Sequence, residues 1–290
     1  MTRPLLLATE GTEHDQGAQR VALALAARTG EPLLAILPLT SNAEYEAIAP
    51  QLAARAEAEA RVKADALQAA AQAAGVALQL SVRRGPEAYE EIVDEARRTH
   101  CRLLLIRRRG RRGLLANLLV GEMVSKVVAH APCDVLIAPR EARLWRQGLL
   151  VAVDPLNPLP SLLALAAARA RDAGLPLHVV SVALDATRRP LAEAAVAAAV
   201  HEARAMGADA RGQARTGRPH EQLPQALADL QADLLVIARH GRQQLARAWI
   251  GGVAQKLIGL VDLPVLVHVP ELRRSDETLP DNPSSSTGAP

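Results

Sequence analysis

Residues 101–139 read CRLLLIRRRGRRGLLANLLVGEMVSKVVAHAPCDVLIAP, and the pattern of this stretch decides the architecture of the chain. Leu103 to Ile106 is a continuous aliphatic run, too short for a buried helix and suited to a parallel strand covered on both faces. Gly110, Gly113 and Gly121 punctuate the Arg-rich segment that follows. From Glu122 to His130 the apolar positions Met123, Val124, Val127 and Val128 fall at helical spacing; Pro132 ends that helix before Val135 to Ala138 resumes as strand. The result is a β-loop-α-β unit whose loop lies where open parallel sheets take ligands.

The unit recurs. Residues 232–270 read ADLLVIARHGRQQLARAWIGGVAQKLIGLVDLPVLVHVP. Leu234 to Ile237 answers Leu103 to Ile106, Gly241 answers Gly110, Gly251 answers Gly121, and Val265 to Val267 answers Val135 to Ile137. The offset of about 130 residues is too long for a solenoid repeat and fits a duplicated domain. A chain of 290 residues accommodates two such domains, each long enough to bury a core.

Outward from these units, both halves alternate strand and helix. In the first, Leu5 to Ala8 is a strand, Asp15 to Arg28 a helix stopped at Gly30, and Leu33 to Leu37 a strand. An Ala- and Glu-rich helical segment then spans Ala43 to Ala74 with a break at Pro50, before a strand from Val76 and a helix from Glu87. From Leu149 the same order repeats. Right-handed crossovers turn this alternation into an α/β fold of two tandem open five-stranded parallel sheets with helices on both faces. The expected division is domain 1 over residues 1–139, a charged linker over 140–147, domain 2 over 148–270, and a Pro- and Ser-rich tail, 271–290, expected to be disordered.

Hydrophobic residues make up 49% of the chain and aromatics 1%, with no Phe, so the core must be built from Leu, Val, Ile and Ala. The formal charge of +3 is too small an excess to argue for nucleic acid, and rings for stacking single-stranded bases are nearly absent. No window reaches the run of about 20 apolar residues that a membrane span needs, and the N-terminal sequence reads as neither signal peptide nor anchor. Cys101 and Cys133 lack CxxC spacing and each borders a buried strand, so they read as structural thiols in a cytoplasmic protein.

With these segments in hand, each half resembles a universal stress protein domain. The segment that carries the resemblance best is GRRGLLANLLVGEMVSKVVAHAPCDVLIAP, matched more loosely by HGRQQLARAWIGGVAQKLIGLVDLPVLVHV, and the tandem layout is similar to the E-type members. The resemblance implies a Rossmann-like fold of the adenine nucleotide alpha hydrolase type. It also implies, for some members, ATP bound through a motif G-x2-G-x9-G-[ST] with an acidic residue at the end of the first strand. Glycines let the backbone close on the triphosphate, and the following helix offers N–H groups and the positive end of its dipole.

Here the motif has decayed. In domain 1 the first glycine position is Arg107, the gap from Gly110 to Gly121 is one residue longer than the family pattern, the hydroxyl position is Glu122, and the strand-one acid is Glu10. Glu122 is expected to fill the cradle from within, aided by the arginines at 107 to 109, because a carboxylate at a helix N-terminus occupies the field a phosphate would use. In domain 2, Gly241 and Gly251 keep the family spacing and Asp154 stands where the family's acid does, but Ala238 replaces the first glycine and Gly252 the hydroxyl residue. ATP or AMP, if bound at all, is expected only there.

The run Arg107, Arg108, Arg109, Arg111 and Arg112 reads either as a receptor for phosphate groups or as a solvated loop. His220 and His240 read as loop histidines, and His201 in HEAR lacks the second His of a zinc-protease helix. No Ser-His-Asp set, GxSxG elbow or complete P-loop can be named from the sequence, so no metal and no catalytic residue is expected. Three readings stand: a non-enzymatic stress-response protein acting through an unidentified protein partner or a small bound ligand, a nucleotide switch or weak ATPase using domain 2, and, least favoured, nucleic-acid binding through the Arg loop. The family resemblance further implies that the last strands, Val135 to Ala138 and Val265 to His268, pair across an internal pseudo-dimer or a homodimer.

Overall fold

The edges expected at Val135 to Ala138 and Val265 to His268 cover each other. In the computed structural model, which describes residues 3–41, 43–108, 121–239 and 250–270, they join the two halves into one ten-stranded sheet. The strands of the first half are β1 (Leu5–Ala8), β2 (Leu33–Thr40), β3 (Leu78–Gly85), β4 (Leu103–Arg107) and β5 (Asp134–Ala138). Those of the second are β6 (Leu149–Ala152), β7 (Leu177–Ala183), β8 (Ala210–Thr216), β9 (Leu234–Ala238) and β10 (Val265–His268). They lie in the order β3-β2-β1-β4-β5-β10-β9-β6-β7-β8. Every neighbouring pair within a half is parallel. At the centre β10 runs antiparallel to β5, with Val265 opposite Ile137, Leu266 opposite Leu136 and Val267 opposite Val135.

Side-chain alternation along the strands builds two apolar layers that run through both halves. On one face Leu5, Leu7, Leu136, Leu149 and Leu266 pack under α1 (Gln16–Thr29), α3 (Pro50–Ala73), α6 (Pro160–Ala173) and α7 (Arg189–Ala205). On the other, Leu6, Leu104, Val135, Leu150 and Val267 pack under α4 (Ala88–Arg98), α5 (Glu122–His130), α8 (Pro219–Asp229) and α9 (Gly252–Leu260). The short α2 (Ala43–Ile48) precedes the Pro50 break. The central strands read as unbroken aliphatic runs because both their faces are covered. The outermost strands β3 and β8 instead expose Arg84 and Arg211 and blunt the free edges with charge.

Two arginines tie the halves together in the same way. Arg108, just past β4, donates to the carbonyl oxygens of Val261 and Ile258 at the end of α9 and pairs with Asp262. Arg239, just past β9, donates to the carbonyls of Val128 (2.9 Å) and Ala129 (2.7 Å) at the end of α5. Each guanidinium thus satisfies the orphan carbonyls of the other half's last helix, where the dipole favours a cation. The linker is more than a charged tether. Trp145 is 2% exposed with the Arg28 guanidinium 5.1 Å over its ring, and the Asp233 carboxylate accepts from the N–H groups of Arg146, Gln147 and Gly148.

Cys101 and Cys133 are both buried, and their sulfurs lie 3.3 Å apart across the starts of β4 and β5. A hydrogen bond from the Cys133 thiol pushes the Cys101 thiol below its usual range, while the same contact and burial push Cys133 up.

Glu95 in α4 is 2% exposed, yet its carboxylate accepts from Arg98 (2.5 and 3.0 Å), Arg83 (3.3 Å) and Ser81 (3.3 Å). The hydrogen bonds from Arg98 outweigh burial and hold its carboxyl below the ordinary 4.5. A depressed folded-state value contributes stability that is present above the unfolded pKa and lost as pH falls through the folded one. The difference in urea midpoint between the wild type and Glu95→Gln is therefore expected to shrink as pH is taken below about 4. A difference that stays constant down to about pH 2 would remove the ion pairs from the stability of this face.

Candidate functional site

In the first half, the C-terminal ends of β1 and β4 meet the N-terminus of α1, and the motif's first glycine position falls at the end of β4. Thr9 to Thr12 turns out of β1 into a single 3₁₀ turn at Glu13–Asp15. Arg107, the last residue of β4, folds its side chain onto this turn. Its guanidinium lies 2.6 Å from the Glu10 carboxylate and donates to Thr12 Oγ1 at 2.9 Å and Asp15 Oδ2 at 3.5 Å. Asp15 is 1% exposed, and its Oδ2 also accepts from the Thr12 N–H (2.8 Å) and hydroxyl (2.6 Å). Its Oδ1 is buried and, among the described residues, has no hydrogen-bond partner.

Among the described residues the side chain that occupies this region is Arg107, and the expectation that Glu122 fills it from within is corrected. Glu122 sits in the first turn of α5 with 81% of its side chain exposed, paired at 2.9 Å with Lys126 one turn on. Lys126 is also 3.3 Å from Glu87 and stands 4.8 Å over the Tyr89 ring. An i,i+4 pair on the open face of α5 costs the carboxylate little hydration, whereas turning inward would desolvate it. Gly121 caps α5 in an extended conformation. Gly110, Arg109, Arg111 and Arg112 lie outside the described residues. Arg108, read from sequence as part of one Arg cluster, points away to the other half.

Among the described residues, no such side chain lies across the second half. Ala238 ends β9 where Arg107 ends β4, and its methyl belongs to the apolar layer under α1 and α6. Asp154 follows β6 and closes a local turn, its Oδ1 accepting from the Leu156 N–H at 2.9 Å and its Oδ2 from the Asn157 amide at 3.0 Å. Gly251 caps α9 with φ +35, a left-handed value that favours glycine. A Cβ added at Gly252 would meet nothing within 4 Å. Among the described residues, nothing stands where the missing hydroxyl would be. Gly241 and His240 lie outside the described residues. His220 stands in the first turn of α8, 3.8 Å from Glu221. Among the described residues no group of three or more His, Cys, Asp or Glu is placed to hold a metal.

Sequence reasoning missed one constellation outright. His268, the last residue of β10, has Nδ1 2.7 Å from Asp134 Oδ1 and Nε2 2.9 Å from Ser161 Oγ. The expectation of no Ser-His-Asp set is thereby corrected. Asp134 and Ser161 lie 134 and 107 residues before His268, and no local motif connects them. The signal available was the antiparallel pairing of β5 with β10, since Val267 opposite Val135 puts His268 opposite Asp134.

A duplicated β-loop-α-β scaffold, with an acid at the end of each half's first strand and a glycine-capped helix after each fourth, defines a tandem α/β protein of Rossmann-like type. The sequence model of the universal stress protein family matches residues 1–139 and again 146–270, and the chain belongs to that family as a tandem two-domain member. Its fold is similar to that of a universal stress protein from Archaeoglobus fulgidus DSM 4304, with a TM-score of 0.73 at 16% identity over 92% of this chain and 99% of that one. It is also similar to a functionally unknown protein from Pseudomonas aeruginosa PAO1, with a TM-score of 0.66 at 22% identity over 93% of each chain. At these identities the likeness is one of fold. No curated protein matches the sequence.

Proposed function

We propose that this tandem universal stress protein is a non-enzymatic stress-response factor, promoting survival of insults such as DNA damage through a protein partner in the cytoplasm. In this reading domain 1 is closed to nucleotide and the two domains act as one internal pseudo-dimer. The observation that carries it is the Arg107 guanidinium lying on Glu10, Thr12 and Asp15, at the position where the family's nucleotide cradle has a glycine. A phosphate entering there would have to displace two carboxylates from one cation, at a cost greater than an unoccupied cradle would impose. No described helix is long and apolar enough to cross a membrane.

A second reading, ATP or AMP bound by domain 2 as a switch, is favoured by the absence of any described residue against a side chain at Gly252 and by the glycine cap at Gly251. In that case Asp154, Gly241, Gly251 and Gly252 would hold the nucleotide, with the Ala238 methyl the residual obstruction. Calorimetric titration of MgATP into the full-length protein separates the two. The first reading expects no binding heat at millimolar nucleotide. One site per chain, abolished by Gly252→Glu and unaffected by Glu10→Gln, would replace it with the second. A site lost in Glu10→Gln would overturn both.

A further inference from the structure

We propose that Ser161 is an activated nucleophile, held by His268 and Asp134 at the ligand end of domain 2, which accepts the acyl group of small carboxylic esters. The protonation pattern follows from the chemistry of the three groups. An ionised carboxylate only accepts, so the Asp134 oxygen 2.7 Å from His268 Nδ1 requires that nitrogen to carry the proton. When the ring is neutral its Nε2 is bare, and the Ser161 hydroxyl at 2.9 Å is placed to donate to it. A serine hydroxyl directed at the basic nitrogen of an imidazole, itself oriented by a carboxylate, is the arrangement that raises serine nucleophilicity on unrelated folds.

The surroundings support this role. The Val269 N–H donates to the same Asp134 oxygen at 3.0 Å, which fixes the carboxylate from a second direction. The half-buried Arg169 guanidinium lies within electrostatic reach of Asp134. His268 is 9% exposed, so its ring is shielded from competing water, whereas Ser161 is exposed and open to a substrate. Ser161 stands in the first turn of α6, where the helix dipole is positive; Pro160 has no N–H and the Leu162 N–H bonds to the Leu159 carbonyl at 3.1 Å, so the N–H of Ser161 itself is the backbone donor at hand. That is the field in which an oxyanion is stabilised. The three residues come from β5, β10 and α6, so the site exists only when the two halves are joined.

The step balances without a further reagent. Ser161 Oγ attacks the ester carbonyl carbon while its proton passes to His268 Nε2. The carbon–oxygen bond to the alcohol then breaks, and the departing alkoxide takes the proton from the imidazolium. Ester and serine become acyl-serine and alcohol. This goes beyond the stress-factor reading and is compatible with it, since a single acylation per chain is a modification and not turnover.

The test uses the full-length protein with p-nitrophenyl acetate, read by nitrophenolate release and by mass spectrometry of the peptides. The expected result is a burst of one equivalent per chain with the acetyl group on Ser161, absent in Ser161→Ala and slowed at least roughly 100-fold in His268→Gln. Should His268→Gln fail to fold, Ser161→Cys provides the second measurement. Its thiol is expected to react with iodoacetamide faster than Cys101 and Cys133, and to slow in Asp134→Asn. Acetyl groups scattered over lysines at a rate unchanged in Ser161→Ala would overturn the proposal. Release continuing beyond one equivalent and lost in Ser161→Ala would retain the nucleophile and overturn the non-enzymatic reading instead.

Discussion

Leu266→Asp is expected to break the ten-stranded sheet at its centre, lowering stability by about 4 kcal/mol or more. Leu266 is 2% exposed and pairs directly with Leu136, which is fully buried, in a join only three registered pairs long. Removing the leucine alone costs about 2–5 kcal/mol in a packed core, and the carboxylate it leaves has no cation within the apolar layer to offset its lost hydration. Against a total stability of about 5–15 kcal/mol, this change separates the two halves or unfolds them. Urea denaturation should show a lowered midpoint and a second transition, and light scattering should show self-association through the uncovered β5 edge. An unchanged single transition would mean that the reciprocal caps by Arg108 and Arg239 hold the halves together without the sheet.

The second large effect is expected at Arg107. Arg107→Gly strips the cation from Glu10 and Asp15, and because Asp15 is 1% exposed the loss of stability should be about 2–3 kcal/mol. The same change restores the family's glycine and removes the guanidinium from the cradle, so affinity for MgATP in domain 1 should rise at least tenfold. Glu122→Ser alone should leave nucleotide affinity unchanged, because that side chain already faces solvent and pairs with Lys126. If Arg107→Gly remains folded and gains no affinity while Glu122→Ser does, the obstruction lies at the helix N-terminus after all.

The strands, the duplication and the division into β and α were legible in the sequence because each rests on local pattern. Leu103 to Ile106 can be read as a buried strand and Glu122 to His130 as a helix without knowledge of anything distant. What was illegible depended on contacts between segments far apart in the chain. Glu122 and Arg107 were both candidates for the closed cradle, and sequence could not tell that a lysine one turn away would draw the carboxylate outward while Glu10 drew the arginine in. Arg108 was read as one of a run of loop charges and Arg239 was not singled out, since their targets are backbone carbonyls, which every residue possesses. The Ser161–His268–Asp134 set emerges only from the antiparallel register across the central join.

That join also bears on how the two halves came to differ. In a symmetric pair of identical chains every substitution appears twice, so a residue that closes one cavity closes its twin. Fusion into a single polypeptide lifts this constraint. What both halves require of each other is present in duplicate, as Arg108 and Arg239 reach for corresponding helix ends, whereas the arginine on Glu10 has no counterpart at Ala238. The architecture thus lets natural selection edit one cavity while leaving the other, and the seam between them, untouched.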